Sequence, residues 1–267
     1  MYWMLMLSIL IGQGCGKGEK GCTDPNSLRF QPEAIEDDGS CRYPERGRTP
    51  LFLFFSQTSN TTSGSFAFPI FNTLSTEFGT QWFPIMVYPQ AGDPLFTGAA
   101  VSLQSAMQTN LLPGFSLGNQ KNLFSEQAIR DAWNIERQEE AVASADGRFF
   151  TISEDSLEVE LNGIFHEPGQ GQYFANILLV EKNVPQPQAG IPNPGFVHPY
   201  VLRSSGAVGG LGYQVANGSI SAGYSFRRKF KIPIQPGWSI GNVTACTVIW
   251  NIQDGNTSFV NARIILP

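Results

Sequence analysis

The feature that most constrains this fold is a change of rhythm near residue 145. Up to that point, apolar runs with the character of strands alternate with segments of helical spacing, beginning with the continuous apolar run at 50–55. A run that is apolar at every position is typical of a strand buried on both faces of a sheet. Beyond residue 145, runs with alternating apolar and polar residues follow one another, separated by turns rich in glycine and proline. The sequence therefore predicts an α/β domain at 50–145 and an all-β domain, an antiparallel β-sandwich, at 146–267.

Two helices of the α/β domain have recognisable start signals. Asp93-Pro94 is expected to open a helix that runs through about Gln108, and Ser125 is expected to cap a helix that runs to about Ala143. Both helices follow apolar runs, which fits the alternation expected of an α/β layer.

The composition indicates a folded chain and excludes one class of partner. Of the 267 residues, 42% are hydrophobic and only 15% are charged, which does not fit a disordered chain. The net charge is -5, and the one block of cations is the run 227–229. Because nucleic acids are bound through clustered cations, we expect no nucleic-acid partner.

The first fifteen residues are an apolar run followed by Gly-Gln-Gly-Cys, ending at Cys15. The run is too short for a permanent bilayer-spanning helix, which needs about 20 residues, but it is typical of a secretory signal. With the cysteine directly after it, the segment resembles a bacterial lipoprotein signal, in which the cysteine is acylated and becomes the mature N-terminus. The resemblance implies a signal peptide at 1–15, a lipid on Cys15 and an outer-membrane location. The alternative is an ordinary cleaved signal with Cys15 incidental.

The polar, glycine-rich segment 16–49 is expected to be a tether with one embedded motif. Its sequence Gly-Cys-Thr-Asp-Pro, followed later by Asp-Asp-Gly-Ser-Cys, resembles a short cysteine-bounded module of secreted proteins from marine and gliding bacteria. With Cys15 lipidated, Cys22 and Cys41 fall within this one segment and can pair. A disulfide that closes about 20 residues would contribute roughly 3 kcal/mol to so small a unit.

The acids of this tether, Asp24, Asp37 and Asp38, have two interpretations. Calcium prefers clustered oxygen ligands, so the three carboxylates are candidate ligands. The other interpretation is that they are solvated acids of turns, since few further ligands are visible in the segment.

The remaining cysteine, Cys246, lies in the sequence Val-Thr-Ala-Cys-Thr-Val-Ile-Trp, which is typical of a buried strand. One interpretation is a small apolar core residue. The other is a reactive thiol, which would need a basic residue or histidine to lower its pKa, and none lies nearby in the sequence.

A family resemblance narrows the expected fold. The order strand, polar loop, helix start, with a later strand entered at Pro113, resembles a thioredoxin-like domain. The segments 178–182, 196–203 (Phe-Val-His-Pro-Tyr-Val-Leu-Arg) and 260–263 look like the Omp28-related outer-membrane proteins of Bacteroidota. The resemblance covers 50–267 and implies a thioredoxin-like domain followed by a β-sandwich.

The chain departs from that family at the redox loop. Where a Cys-x-x-Cys pair would precede the helix, Asn60 and Ser63 have the matching spacing. Disulfide exchange needs a thiolate to attack and a second thiol to resolve the intermediate, and neither is present. Pro113 is the candidate for the cis-proline that faces this loop in thioredoxin-like folds. The resemblance therefore implies a scaffold that has lost its thiol chemistry.

No other catalytic or metal site is expected. The family segment carries a second histidine where this chain has Tyr200, so His198 and His166 are two scattered histidines. A zinc site needs three or four ligands, which these two histidines do not supply. We expect no metal and no cofactor.

The proline-rich stretch 183–196 is expected to be a long, stiff loop of the sandwich. Long loops often carry binding residues, so Phe196, His198, Tyr200 and Trp238 form the candidate partner surface. The alternative is an ordered loop that covers a sheet edge.

Taken together, these patterns predict a non-enzymatic, lipid-anchored protein of the outer membrane, periplasmic or surface-exposed, that binds an envelope or secreted protein. Two alternatives stay open. One is a surface-exposed protein that binds glycans or peptides through the sandwich loops. The other is a residual thiol-redox protein that acts through Cys246.

Overall fold

The computed structural model describes residues 18–153 and 155–265, with the side chains of 150–152 left undescribed. The predicted signal peptide and Cys15 lie outside the described residues. The chain divides into two compact units, residues 1–42 and 43–267. Within the described ranges, no helix has the length and apolar character needed to cross a membrane.

The first unit is closed by the predicted disulfide between Cys22 and Cys41, whose S–S distance is 2.08 Å. It contains two short parallel strands, β1 (Glu19–Gly21) and β2 (Ala34–Asp37). Cys22 is fully buried, so the crosslink forms the centre of a unit that has few other apolar groups.

The carboxylates of Asp24, Asp37 and Asp38 in the first unit accept backbone hydrogen bonds in turns. Asp24 accepts a hydrogen bond from the backbone N–H two residues further on, and Asp37 and Asp38 do the same, at 2.8, 2.8 and 2.9 Å. Hydrogen bonds from Ser40 lower the pKa of Asp38. Such turns use the carboxylate to mimic a backbone carbonyl. Among the described residues, no group of three or more acidic, histidine or cysteine side chains is arranged to hold a metal.

In its described residues, the second unit consists of three α-helices and twelve strands. The helices are α1 (Phe68–Phe78), which a π-helical turn (Ser63–Ala67) precedes, α2 (Gly98–Met107) and α3 (Glu126–Glu136). The strands are β3 (Leu51–Phe55), β4 (Phe83–Val87), β5 (Gly114–Leu117), β6 (Gln120–Leu123), β7 (Ala143–Ile152), β8 (Ser156–Phe165), β9 (Gly169–Pro185), β10 (Val197–Ser205), β11 (Tyr213–Ile220), β12 (Ser225–Pro233), β13 (Val243–Gln253) and β14 (Asn256–Ile265).

The first half of this unit has the predicted alternation, in the order β3–α1–β4–α2–β5–β6–α3. β4 lies parallel to β3, whereas β5 is antiparallel to β3 and pairs with β6. All five residues of β3 are buried, as the continuous apolar run predicts. Phe52 and Phe54 face the layer formed by α1 and α3, and Leu53 faces α2 on the opposite side.

The second half is sandwich-like. A three-stranded sheet in the order β12–β8–β7 packs over β11, β9, β13 and β14, and the two layers share one apolar core. The alternating pattern of the sequence explains this arrangement, because every second residue of these strands points into that core.

The two halves share one nine-stranded sheet, which continues across the boundary predicted at 145/146. Its order is β14–β13–β9–β10–β4–β3–β5–β6, with β11 added beside β9. The junction is a parallel pairing of Val201 with Met86. The sheet also curves strongly, because Thr49, just before β3, bridges Ala262 of β14 although four strands separate β3 from β14 in the sheet. α2 packs inside this curve, with Leu103 in the same apolar cluster as residues of β3, β9 and β13.

Candidate functional site

The loop after β3 brings the predicted degenerate redox residues together. Oδ1 of Asn60 accepts a hydrogen bond from the backbone N–H of Ser63 at 3.1 Å, which caps the helical segment that starts at residue 61. Nδ2 of Asn60 donates to the carbonyl oxygen of Leu112 at 3.2 Å. The Leu112–Pro113 peptide bond is cis. Asn60 therefore joins the helix start to the segment that carries Pro113.

Neither residue of this pair supplies a nucleophile for disulfide exchange. Ser63 is fully buried, and its hydroxyl oxygen has no hydrogen-bond partner within the described part of the chain. An amide at position 60 and a hydroxyl at position 63 cannot form the thiolate that attacks sulfur. Neither side chain of this pair carries a thiol.

The free cysteine does not replace them. Cys246 is fully buried on β13, and this burial raises the pKa of its thiol. The redox alternative requires an exposed thiol with a lowered pKa, and the structure gives Cys246 the opposite of both. Its place in a central strand, between residues of one apolar cluster, is that of a small core residue.

The proline-rich stretch closes over the Asn60 loop. Nε2 of Gln188, a residue that is only 3% exposed, lies 3.1 to 3.2 Å from the carbonyl oxygens of Gln57, Thr58 and Asn60. The backbone N–H of Ala189 also donates to Thr58, at 2.8 Å. This part of the stretch is therefore a cover on the degenerate site rather than a free binding loop.

Close packing at Gly64 shows how tightly the cover fits. A Cβ atom placed on Gly64 would stand 2.0 Å from the carbonyl oxygen of Ala189. Real Cβ atoms do not approach that closely, so only glycine allows the helix start and the proline-rich stretch to meet.

Asp93 fixes the same loop from the other side. Its Oδ2 accepts hydrogen bonds from the backbone N–H and the hydroxyl of Thr58, at 2.6 and 2.9 Å. Its Oδ1 accepts from the backbone N–H of Leu95 at 2.8 Å. The helix start predicted at Asp93 is wrong: α2 begins at Gly98, and Thr97 is its cap, with Oγ1 accepting from the N–H of Ala100.

His198 is a buried structural residue and does not belong to an exposed partner surface, which corrects the prediction. Its Nδ1 lies 2.6 Å from the hydroxyl of Tyr88 and its Nε2 lies 3.0 Å from the carbonyl oxygen of Gln186. A carbonyl oxygen only accepts, so Nε2 carries the proton and Tyr88 donates to Nδ1. Burial lowers the pKa of His198 to about 4 and raises that of Tyr88.

The other three residues of the predicted surface do not form one patch either. The ring of Phe196 is partly buried and packs 4.9 Å, centroid to centroid, from those of both His198 and Phe68. Tyr200 is also partly buried, with its ring 6.3 Å from that of Phe83. Trp238 lies elsewhere, on a cleft that also contains Phe96. The local sequence could not show which of these side chains are buried, because the residues that bury them come from distant segments of the chain.

Comparisons with known proteins agree with the fold and leave the family open. No family model and no curated protein sequence matches the chain. Among solved structures, HBP35 of Porphyromonas gingivalis matches with a TM-score of 0.63 at 15% identity, over 82% of this chain and 75% of that chain. A domain of the outer membrane lipoprotein Omp28 from Porphyromonas gingivalis matches with a TM-score of 0.31 at 12% identity, over 47% of this chain and 87% of that chain. The first match shows a common fold over most of the chain, and the second is too weak to carry an argument.

Proposed function

We propose that this protein is a non-enzymatic lipoprotein of the outer membrane, in which a thioredoxin-like domain serves as a scaffold for binding another envelope protein. The observation that carries the proposal is the closed loop at Asn60. It keeps a capped helix start beside Pro113, but it has lost the thiols and is covered by Gln188. A fold that retains its site geometry without the reacting groups is better suited to binding than to catalysis.

The envelope location is supported by two features of the N-terminal region. The apolar run that ends at Cys15 resembles an export and lipidation signal. The disulfide between Cys22 and Cys41 is of the kind that persists in oxidising compartments and is rare in the cytosol.

A partner surface is supported by exposed apolar side chains beside the closed loop. Phe66 and Leu111 are both 48% exposed. Phe66 belongs to the π-helical turn that follows Asn60, and Leu111 directly precedes the residue that Asn60 bonds. Exposed apolar side chains on two segments that meet at one point are typical of a protein-binding surface.

The proposal is tested by capturing the tagged full-length protein from gently solubilised membranes and identifying what co-purifies. We expect a stoichiometric envelope protein, whose recovery falls at least about tenfold, or about 1.4 kcal/mol, in the double variant Phe66→Ser/Leu111→Ser. The matched control is Val101→Ser, which removes another exposed apolar side chain, on α2, and should leave recovery unchanged. Recovery of the protein alone, or equal loss in the control, would contradict the proposal.

A further inference from the structure

A cleft separate from the Asn60 loop lies where the two halves of the second unit meet. It has a volume of about 600 Å³ and is formed by the turn before α2, the end of β10 and the loop 235–238. This volume lies within the range of small-ligand sites in proteins. Its walls carry Phe96 and Trp238, which belong to different halves of the unit.

The charged group of the cleft, the guanidinium of Arg203, is held in place and neutralised by an ion pair. Nε of Arg203 donates to Oε2 of Glu181 at 2.7 Å, and the side chains of this pair are only 12% and 5% exposed. The other carboxylate oxygen of Glu181 accepts from the backbone N–H of Ser239 at 2.8 Å. Among the described residues that line the cleft, Arg203 is the one that is ionisable, and Glu181 compensates its charge.

Several donors of the cleft nonetheless have no partner among the described residues. The terminal nitrogens of Arg203, the side-chain amide of Gln235 and the indole N–H of Trp238 make no hydrogen bond with any part of the chain that the structure describes. Gln235 also offers an acceptor oxygen, so both kinds of hydrogen-bonding group are available. Because Glu181 fixes the plane of the guanidinium, little side-chain entropy remains to be lost on binding.

The aromatic side chains supply the apolar part of the site. Phe96 is 40% exposed, and Trp238 is half-buried because it packs against the core of the sandwich. An aromatic ring fixed in this way offers a flat apolar surface beside polar groups. Sugars fit this combination, since one face of a pyranose ring carries C–H groups while its edge carries hydroxyls that both donate and accept.

We propose that this cleft binds a short neutral oligosaccharide, which stacks on Trp238 and Phe96 while Arg203 and Gln235 bind its hydroxyls. An anionic ligand fits less well, because the one cation of the cleft is already neutralised by Glu181. The site is independent of the surface at Phe66, so the protein-partner proposal and this one can fail separately.

The test uses the full-length protein in detergent, labelled with fluorotryptophan, and follows the fluorine resonance that the variant Trp238→Phe assigns to Trp238. The probes are cellotriose, maltotriose, laminaritriose, xylotriose and mannotriose. We expect at least one of these neutral trisaccharides to shift the Trp238 resonance saturably. Phe96→Ala and Gln235→Ala should each weaken that sugar's affinity by about tenfold.

Phe124→Ala is the matched control, because Phe124 is 45% exposed and lies outside the cleft. It should leave the affinity unchanged. Three results would overturn the proposal: no shift with any sugar of the panel, a shift that Phe96→Ala and Gln235→Ala leave intact, or tighter binding of trigalacturonate than of every neutral trisaccharide. Circular dichroism of each variant verifies that the fold is retained.

Discussion

The buried imidazole of His198 links the stability of this protein to pH. In the folded chain it is neutral, since burial lowers its pKa to about 4, whereas in the unfolded chain it titrates near 6.5. Between these two values the unfolded state takes up a proton that the folded state does not. Stability is therefore fully present above pH 6.5 and is lost as the pH falls towards 4.

We expect the free energy of unfolding to fall by about 3 kcal/mol between pH 6.5 and pH 4 through His198, measured by urea denaturation at a series of pH values. The variant His198→Gln should remove most of this slope, because glutamine can bond Tyr88 and Gln186 without titrating. The matched control is His166→Gln, which replaces the chain's other histidine, a partly buried one. A slope that persists in His198→Gln but disappears in His166→Gln would show that the assignment is wrong.

For single residues, the sequence predicted which side chains stand at a chemical site better than it predicted which side chains are buried. The spacing of Asn60 and Ser63 was visible in the chain, and the structure places both at the loop beside Pro113. The burial of His198 was not visible, because its partner Tyr88 lies 110 residues away in the sequence. Most buried polar groups are satisfied by a partner, and where that partner is distant in the sequence no local pattern reports it.

Among the elements, the proline-rich stretch that leads into β10 contributes one side chain, Gln188, to the Asn60 loop. Gln188 reaches three carbonyl oxygens of the Asn60 loop with one amide nitrogen, which carries only two hydrogens. The amide therefore shares its hydrogens among these carbonyls. Each carbonyl also accepts a hydrogen bond from a backbone N–H, that of Asn60, Ala189 and Gly64 respectively.

We expect Gln188→Ala to destabilise the protein by about 1 kcal/mol, because it removes the hydrogen bonds of a buried amide while the three carbonyls keep their backbone donors. Hydrogen exchange followed by mass spectrometry should show faster exchange in a peptide covering 56–66. Gln186→Ala is the matched control, since the hydrogen bonds of Gln186 are made by its backbone, with His198 and Phe196. Unchanged exchange in Gln188→Ala would mean that the cover is not held by this side chain.

The helices of the α/β half show how well sequence motifs predict where a helix starts. The Ser125 cap predicted for α3 is present, with Oγ accepting from the N–H of Ala128 at 3.2 Å. The start predicted for α2 at Asp93 is wrong, because that carboxylate is used by Thr58 across the fold. A helix-cap motif consists of neighbouring residues and often identifies the cap correctly. A backbone N–H from a distant segment can, however, donate a hydrogen bond to the same side chain instead.

For the molecule as a whole, a buried ion pair lies within the first half of the second unit, and its arginine also contacts the last strand. Nη2 of Arg48 lies 2.6 Å from Oε2 of Glu136 on α3, and the two side chains are 2% and 1% exposed. Arg48 also pairs with Glu139 and lies over the ring of Phe259 on β14. Burial raises the pKa of Glu136, while Arg48 and the backbone N–H of Asn119 act in the opposite direction.

We expect Arg48→Met to destabilise the protein by about 3 to 5 kcal/mol, because it leaves the Glu136 carboxylate buried without its cation. The double variant Arg48→Met/Glu136→Leu should recover most of the loss, since it removes both charges. Urea denaturation measures both, and a single transition is expected because residues 43–267 form one compact unit. Arg130→Met is the control: its partners Glu77 and Glu126 are exposed, so little change is expected. Equal losses in both single variants would contradict the argument.

The sequence could not predict that both halves of the second unit share one sheet. The change of rhythm at residue 145 indicates alternating strands and helices before it and successive strands after it, because local periodicity reports the type of element. It could not report that β10 would pair with β4 at Val201 and Met86, since strand pairing depends on contacts far apart in the chain.

The position of the disulfide has a consequence for how the chain matures. Cys22 and Cys41 are 19 residues apart near the N-terminus, whereas Cys246 belongs to one of the last strands. In the exported chain that we propose, Cys22 and Cys41 enter the oxidising compartment well before Cys246 is available to compete. That order favours the pairing of Cys22 with Cys41, and the later folding of β13 buries Cys246 and withdraws it from thiol exchange.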